Sequence, residues 1–185
     1  MAIEILKLTL GPLQTNCYIL GNTATQEAIV IDPGDSAPLI HQTAASRGWT
    51  VRAILATHCH FDHILASAEL KALTDAPFAI HALDLPLLRN MPVTVRQWFA
   101  TEVPPAAEPD SFVEEGQTVA CGGITLDVLF TPGHAPGHVS YVLREERTVF
   151  SGDCLFYGNV GRTDLPGADY ETLMTVGAYI DLNPV

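Results

Sequence analysis

Apolar and polar residues alternate over much of residues 3–10, and Gly11-Pro12 follows, so the chain is expected to open on a strand and turn. Residues 16–20 and 28–31 read as two further strands, with Gly21-Asn22 starting the turn between them, a hairpin pattern. Asp32-Pro33-Gly34-Asp35 then breaks the sheet, and residues 37–47 read as a helix stopped by Gly48. A short apolar strand over 51–56 leads into a histidine-rich turn and a helix over 64–73, with Ile64, Leu65, Ala68 and Ala72 spaced for one apolar face. Residues 78–80 read as a strand and 82–89 as a short helix. From 91 to 110 the pattern is irregular, with Pro92, Pro104, Pro105 and Pro109; Trp98 and Phe99 in its middle favour a lid or packed loop. Residues 118–120, 124–130, 139–143 and 148–150 read as strands. Asp169 reads as the N-cap of a helix that runs to Val176, ahead of Gly177. Strands followed by helices, twice, suit an α+β architecture of two facing sheets with helices outside.

Composition narrows the function classes. The 185 residues suffice for one substantial domain, expected over 1–185, and 48% are hydrophobic. No run is long enough to cross a bilayer, and no basic-then-apolar signal pattern opens the chain, so no membrane partner is expected. Nine basic against twenty-one acidic residues give a formal charge of −12, which argues against nucleic acid as a partner. Cys17, Cys59, Cys121 and Cys154 are scattered and form no CxxC pair, consistent with a reducing cytoplasm.

The chemistry is concentrated in Thr57-His58-Cys59-His60-Phe61-Asp62-His63. His58 and His60, two apart on an extended backbone, project to one side, and Cys59 between them points the other way, into packing. Asp62 and His63 lie on the following turn. Imidazole and carboxylate at this density suit a divalent transition metal, zinc first, and can supply two metals sharing a site. His134, in Thr131-Pro132-Gly133-His134, and Asp153, in Ser151-Gly152-Asp153, also stand at strand ends. His58, His60 and His134 would make a three-nitrogen site; Asp62, His63 and Asp153 would begin a second, with Asp153 able to bridge. Asp32 is a candidate acceptor that orients a ligand histidine, or else a cap of the turn at Pro33-Gly34. His138 reads as support for its turn, and His81 and His41 as core or surface.

These residues resemble the metallo-β-lactamase superfamily, in His58-x-His60-x-Asp62-His63, in His134 of TPGH, in Asp153 of SGD and in Asp32 of IDPG. Among its branches the chain is similar to the compact glyoxalase II-type hydrolases, through TNCYIL at 15–20, TPGHAPGHVSYVL at 131–143 and FSGDCLFYGNVGRTDLPGADYETLM at 150–174. The resemblance implies an αββα four-layer sandwich with the site at one edge between the sheets. It implies a hydrolase of small acyl thioesters, such as an acylated glutathione, using Zn2+ (one or two ions, with Fe or Mn as alternatives). Asp62 would be both ligand and orienter of the attacking water, and Arg162 would meet an acidic substrate group or pair with Asp164.

The sequence departs from that family at two places. Leu65-Ala66 stands where the family has a glycine pair, which is expected to crowd the helix against the site. The resemblance also implies a further strand and a final histidine beyond the 170s, and no histidine follows His138. The chain is therefore expected to be incomplete at its C-terminus, holding one metal firmly and a second weakly, with activity reduced or absent. Two alternatives stay open: a persulfide dioxygenase with one iron held by two histidines and an aspartate, and a catalytically impaired metal-binding domain.

Overall fold

The computed structural model describes residues 3–182, with side chains as far as Gly177. The first half builds a six-stranded sheet in the order β1 (Ile3–Leu10), β2 (Thr15–Asn22), β3 (Glu27–Ile31), β4 (Thr50–Leu55), β5 (Phe78–Ile80) and β6 (Ser111–Phe112). The β1–β2–β3 pairs are antiparallel and the rest parallel. The parallel strands carry near-continuous apolar runs because both faces are covered. The second half builds a four-stranded antiparallel sheet, β7 (Thr118–Cys121), β8 (Ile124–Phe130), β9 (Val139–Leu143) and β10 (Thr148–Phe150), in the order β10-β9-β8-β7. Beyond it, β11 (Leu155–Phe156) and β12 (Asn159–Val160) form a small hairpin.

Two cores follow from the alternation along the strands. Ile29, Ile31 and Leu55 of the first sheet meet Leu126, Val128 and Tyr141 of the second between the sheets. Ile19, Val30 and Ile54 point the other way, under α1 (Ala37–Ser46), α3 (Ser67–Thr74) and α4 (Leu85–Phe99), with Ile40, Leu70 and Met91. This is an α+β sandwich of two facing sheets with helices outside, as expected. α5 (Tyr170–Leu182) contacts β12, and its first turn is capped by Asp169, whose carboxylate accepts from the Thr172 N–H at 2.8 Å.

The structure corrects the sequence reading in three places. The expected irregular stretch 91–110 begins inside α4, which runs straight through Pro92. Leu88, Met91 and Val95 are buried at helical spacing, each worth about 1.5–3 kcal/mol, and together they outweigh the roughly 3 kcal/mol that an interior proline costs. The rest of the stretch is a packed loop, one of the two forms expected: Ala106 and Ala107 are buried, and Asp110 takes Lys71 Nζ at 2.6 Å and the Phe78 N–H at 2.7 Å. The helix expected over 64–73 is two, α2 (Phe61–Ile64) and α3, because the Ala66 N–H donates to the Pro33 carbonyl at 3.0 Å and leaves the helical ladder. Gly177 does not stop α5, which continues to Leu182. The short pairs β6, β11 and β12 had no alternation to announce them.

The two sheets are tied at the edge that carries the histidines. Tyr141 of β9, fully buried between the sheets, donates its hydroxyl to the Ala56 carbonyl at 3.0 Å, at the end of β4. Tyr141→Phe should cost about 1–2 kcal/mol, the price of an unpaired buried carbonyl, without changing the fold. A lower urea midpoint at constant m-value checks this.

Candidate metal centre

Every proposed ligand follows the carboxyl end of a strand. Asp32 follows β3, the histidine turn follows β4, His134 follows β8 and Asp153 follows β10. The two sheets bring these ends to one edge. His58, His60 and His134 form one group, and His58, His63 and Asp153 another; within each group the ligating atoms lie within 4.8 Å of one another. His60 Nδ1 stands 2.9 Å from His134 Nε2.

Hydrogen bonds on the far side of each ring fix which nitrogen faces the centre. Buried Asp32 accepts from the Thr57 N–H at 2.6 Å, from Thr57 Oγ1 at 2.8 Å, and from His63 Nδ1 at 3.0 Å. Since the Thr57 hydroxyl proton goes to Asp32, its oxygen is left to accept from His58 Nδ1 at 3.1 Å. His134 Nδ1 donates to the Arg162 carbonyl at 2.8 Å. His58, His63 and His134 thus turn Nε2 inward, whereas His60 presents its Nδ1 toward His134 Nε2. His58 Nε2 and His63 Nε2 are buried without any hydrogen-bond partner. Unpaired buried nitrogens are costly, and here they face one point.

Electrostatics point the same way. The ion pairs of Asp32, Asp62 and Asp153 are all with histidine: His63 Nε2 lies 3.3 Å from Asp153 Oδ1 and 3.6 Å from Asp62 Oδ2, and His134 Nε2 is 3.5 Å from Asp153 Oδ2. Burial alone would lower the His63 pKa, but Asp32, Asp153 and Asp62 outweigh it and hold His63 well above the usual histidine range. Burial and neighbouring imidazoles push His58 well below that range and His60 down to about 4. Burial raises Asp153, but His63 and the other histidines overcome it and hold the carboxyl down at about 2. The cluster is three carboxylates around neutral imidazoles and one imidazolium, a setting that accepts a cation.

The remaining sequence candidates sort plainly. Asp62 is outside both groups; its Oδ2 accepts from Thr15 Oγ1 at 2.7 Å, and it lines the cavities beside the centre. His138 is fully buried and uses both nitrogens, with Nδ1 2.8 Å from Thr131 Oγ1 and Nε2 accepting the Asp153 N–H at 3.2 Å, so it supports the Asp153 loop. The Arg162 guanidinium is exposed and paired with Asp164 through two bonds of 2.7 Å, so its backbone, not its charge, serves the histidines. His81 caps the 3-10 turn Ala82–Asp84, and Cys59 is buried packing, as read. Leu65 does not crowd the imidazoles; it lines an apolar cavity on the other side.

Two positions need glycine for closeness. A Cβ on Gly34 would stand 1.8 Å from the Asp62 carbonyl oxygen, and one on Gly161 would stand 1.9 Å from that of Asp153. Both loops are pressed onto ligand-bearing backbone.

Asp84 was missed in the sequence. It is fully buried, and its two oxygens accept from the Cys59 N–H at 2.8 Å and the Gly137 N–H at 2.6 Å, tying the histidine turn to the His134 loop. Burial pushes its pKa up to about 6 despite those two donors. Its only sequence signal is a carboxylate in the first turn after a buried strand.

The family model of the metallo-beta-lactamase superfamily matches residues 10–184, and the chain belongs to that superfamily. It is 31% identical over 176 residues to hydroxyacylglutathione hydrolase GloC of Haemophilus influenzae, covering 95% of this chain and 82% of the relative. Among solved structures it is similar to the B3 metallo-beta-lactamase BLEG-1, with a TM-score of 0.87 at 34% identity over 94% of this chain and 83% of the other. It is also similar to TTHA1623 in a di-iron-bound form, with a TM-score of 0.85 at 40% identity over 97% and 87%. The residues present fit a metal: two orphaned buried nitrogens and a converging His/Asp donor set face one point.

Two outcomes are expected. At pH 7 His63 is the charged histidine, and a metal needs its lone pair, so zinc binding should release about one proton and tighten as pH rises through the raised His63 pKa. Calorimetric titration of metal-free protein in two buffers of different ionisation enthalpy measures this; no release would remove His63 from the ligand set. Asp84→Asn keeps one acceptor and sets an amide NH2 against the other N–H, costing about 1–3 kcal/mol and loosening zinc. Urea unfolding and chelator competition check both.

Proposed function

We propose that this chain is a metal-dependent hydrolase of small acyl thioesters, with His58, His60 and His134 as one ligand set and His63, Asp153 and Asp62 as the second. The observation that carries the reading is the convergence of the inward nitrogens and Asp153 beside a cavity of about 370 Å³, lined by His60, Asp62, His134 and Asp153 on one side and by Met91, Trp98 and Leu165 on the other. A bound divalent cation there supplies acidity, bringing a water's proton within reach of loss near neutral pH and drawing charge from a carbonyl oxygen.

The chain's own residues do the rest. Thr15 holds Asp62 Oδ2, which leaves Oδ1 free to ligate or to accept a proton from the attacking water. Met91, Trp98 and Leu165 supply apolar wall to the cavity. A departing thiolate has a conjugate-acid pKa near 8.5, so no protonating side chain is required. Cysteine attack is disfavoured, since Cys59 and Cys154 are buried and burial raises both thiols, Cys154 to about 11. Four free cysteines accord with a reducing, cytoplasmic setting, and no described helix is long and apolar enough to cross a membrane. The formal charge of −12 accords with a small-molecule substrate and no nucleic-acid partner.

Zinc, iron and manganese per chain should be measured by elemental mass spectrometry on protein purified under reducing conditions, with thioester hydrolysis assayed on the same sample. At least one metal with turnover is expected, and His134→Ala should lose both the metal and at least a hundredfold in rate. Metal-loaded protein that hydrolyses no acyl thioester overturns the reading.

A further inference from the structure

A second cavity, of about 250 Å³ and mostly apolar, lies beside the metal centre between the β1–β2 turn and α4. Leu10, Leu65, Val95 and Val103 line it, and it shares Leu13, Phe61 and Asp62 with the cavity that holds the histidines. Phe61 stands at the junction, its ring 5.6 Å from those of both Trp98 and Phe99 in edge-on contact. Leu13, Trp98 and Phe99 are among the large apolar side chains left exposed, at 46%, 47% and 40%, and all three border these cavities. Neither cavity offers an unpaired cation among its described lining residues, since Arg162 is paired with Asp164.

We infer that the acyl group is an unbranched hydrocarbon chain, which runs from the metal centre past Phe61 and Leu13 into this second cavity. The inference rests on the thioester reading and names its substrate class. Geometry supports it: Leu13, Phe61 and Asp62 line both cavities, and beyond them Leu65 and Val95 continue an apolar wall in the second. Chemistry supports it too, since a chain of methylenes removes exposed apolar surface on both partners and asks for no countercharge. Leu65 supplies part of the wall.

The test uses the full chain and one thiol, glutathione, carrying acetyl, butyryl, hexanoyl or octanoyl groups. With metal bound, kcat/KM should rise up to about fourfold per added methylene until the cavity is full. Independently of turnover, S-methyl to S-octyl glutathione thioethers should bind the metal-free protein with affinity rising along the series, read by Trp98 fluorescence. Thr101→Trp, at an exposed position on the cavity wall, should abolish both chain-length gains, with metal content as in the unaltered protein; Leu65→Phe is the second variant. Turnover that does not depend on chain length, together with thioether binding that does not, overturns the inference while sparing the thioesterase reading. No turnover at any length, with chain-length-dependent binding blocked by Thr101→Trp, overturns the thioesterase reading and leaves the cavity assigned to a hydrocarbon chain.

Discussion

One buried carboxylate organises the centre. Asp32 takes three hydrogen bonds within 3.0 Å, two from Thr57 and one from His63, and so orients His63 directly and His58 through the Thr57 hydroxyl. To do this it adopts φ 55°, a left-handed conformation that costs an L-residue about 1 kcal/mol or more and that aspartate tolerates better than most. Pro33 and Gly34 complete the arrangement: the Pro33 carbonyl breaks the helix after Asp62-His63, and Gly34 lets the loop lie against the Asp62 backbone. If the loop moved, the histidine turn would lose its orientation and its helix boundary together.

The stored cost of this arrangement is considerable. Two buried imidazole nitrogens make no hydrogen bond, His63 Nε2 facing only the Asp153 and Asp62 carboxylates at 3.3 and 3.6 Å, and three carboxylates share a single imidazolium. An unsatisfied buried polar group costs about 1–3 kcal/mol, so the metal-free fold must be held by contacts elsewhere. Those contacts are visible. Asp84 ties the histidine turn to the His134 loop, Tyr141 ties β9 to the end of β4, and His138 ties the Asp153 loop to Thr131. None of the three faces the centre, and each fixes the backbone beside a ligand. A cation at the focus would satisfy what these ties hold apart, which couples metal binding to stability.

The sequence made the ligand-bearing strand ends legible because their signal is local. Four ligand-type side chains within six residues after an apolar run need no knowledge of the rest of the chain, and TPGH and SGD repeat the strand-end pattern. The residues that hold the ligands were illegible for the opposite reason. Asp84 meets partners 25 and 53 positions away, and Thr15 meets Asp62 47 positions away, so nothing nearby in sequence marks them. Helix α4 was hidden by Pro92: a local rule ended the helix where burial of Leu88, Met91 and Val95 carries it on. The apolar patterns that gave β1 through β5 and β7 through β10 have no purchase on two-residue strands such as β6, which is supported by its neighbour in the sheet.

The division between what is rigid and what can vary follows the layers. The proposed ligands sit on the ends of strands locked between two cores, where a one-residue slip would turn every side chain to the wrong face. Much of the walls of the adjoining cavities comes instead from the 11–14 turn and from the last turns of α4, where Leu13, Trp98 and Phe99 are half exposed. Substituting such residues alters shape and apolarity without disturbing a hydrogen bond to any histidine. On the proposed reading, much of the selectivity therefore resides on the turn and α4, and a hydrolytic centre of this kind would be re-aimed at another acyl group chiefly by changing those two elements.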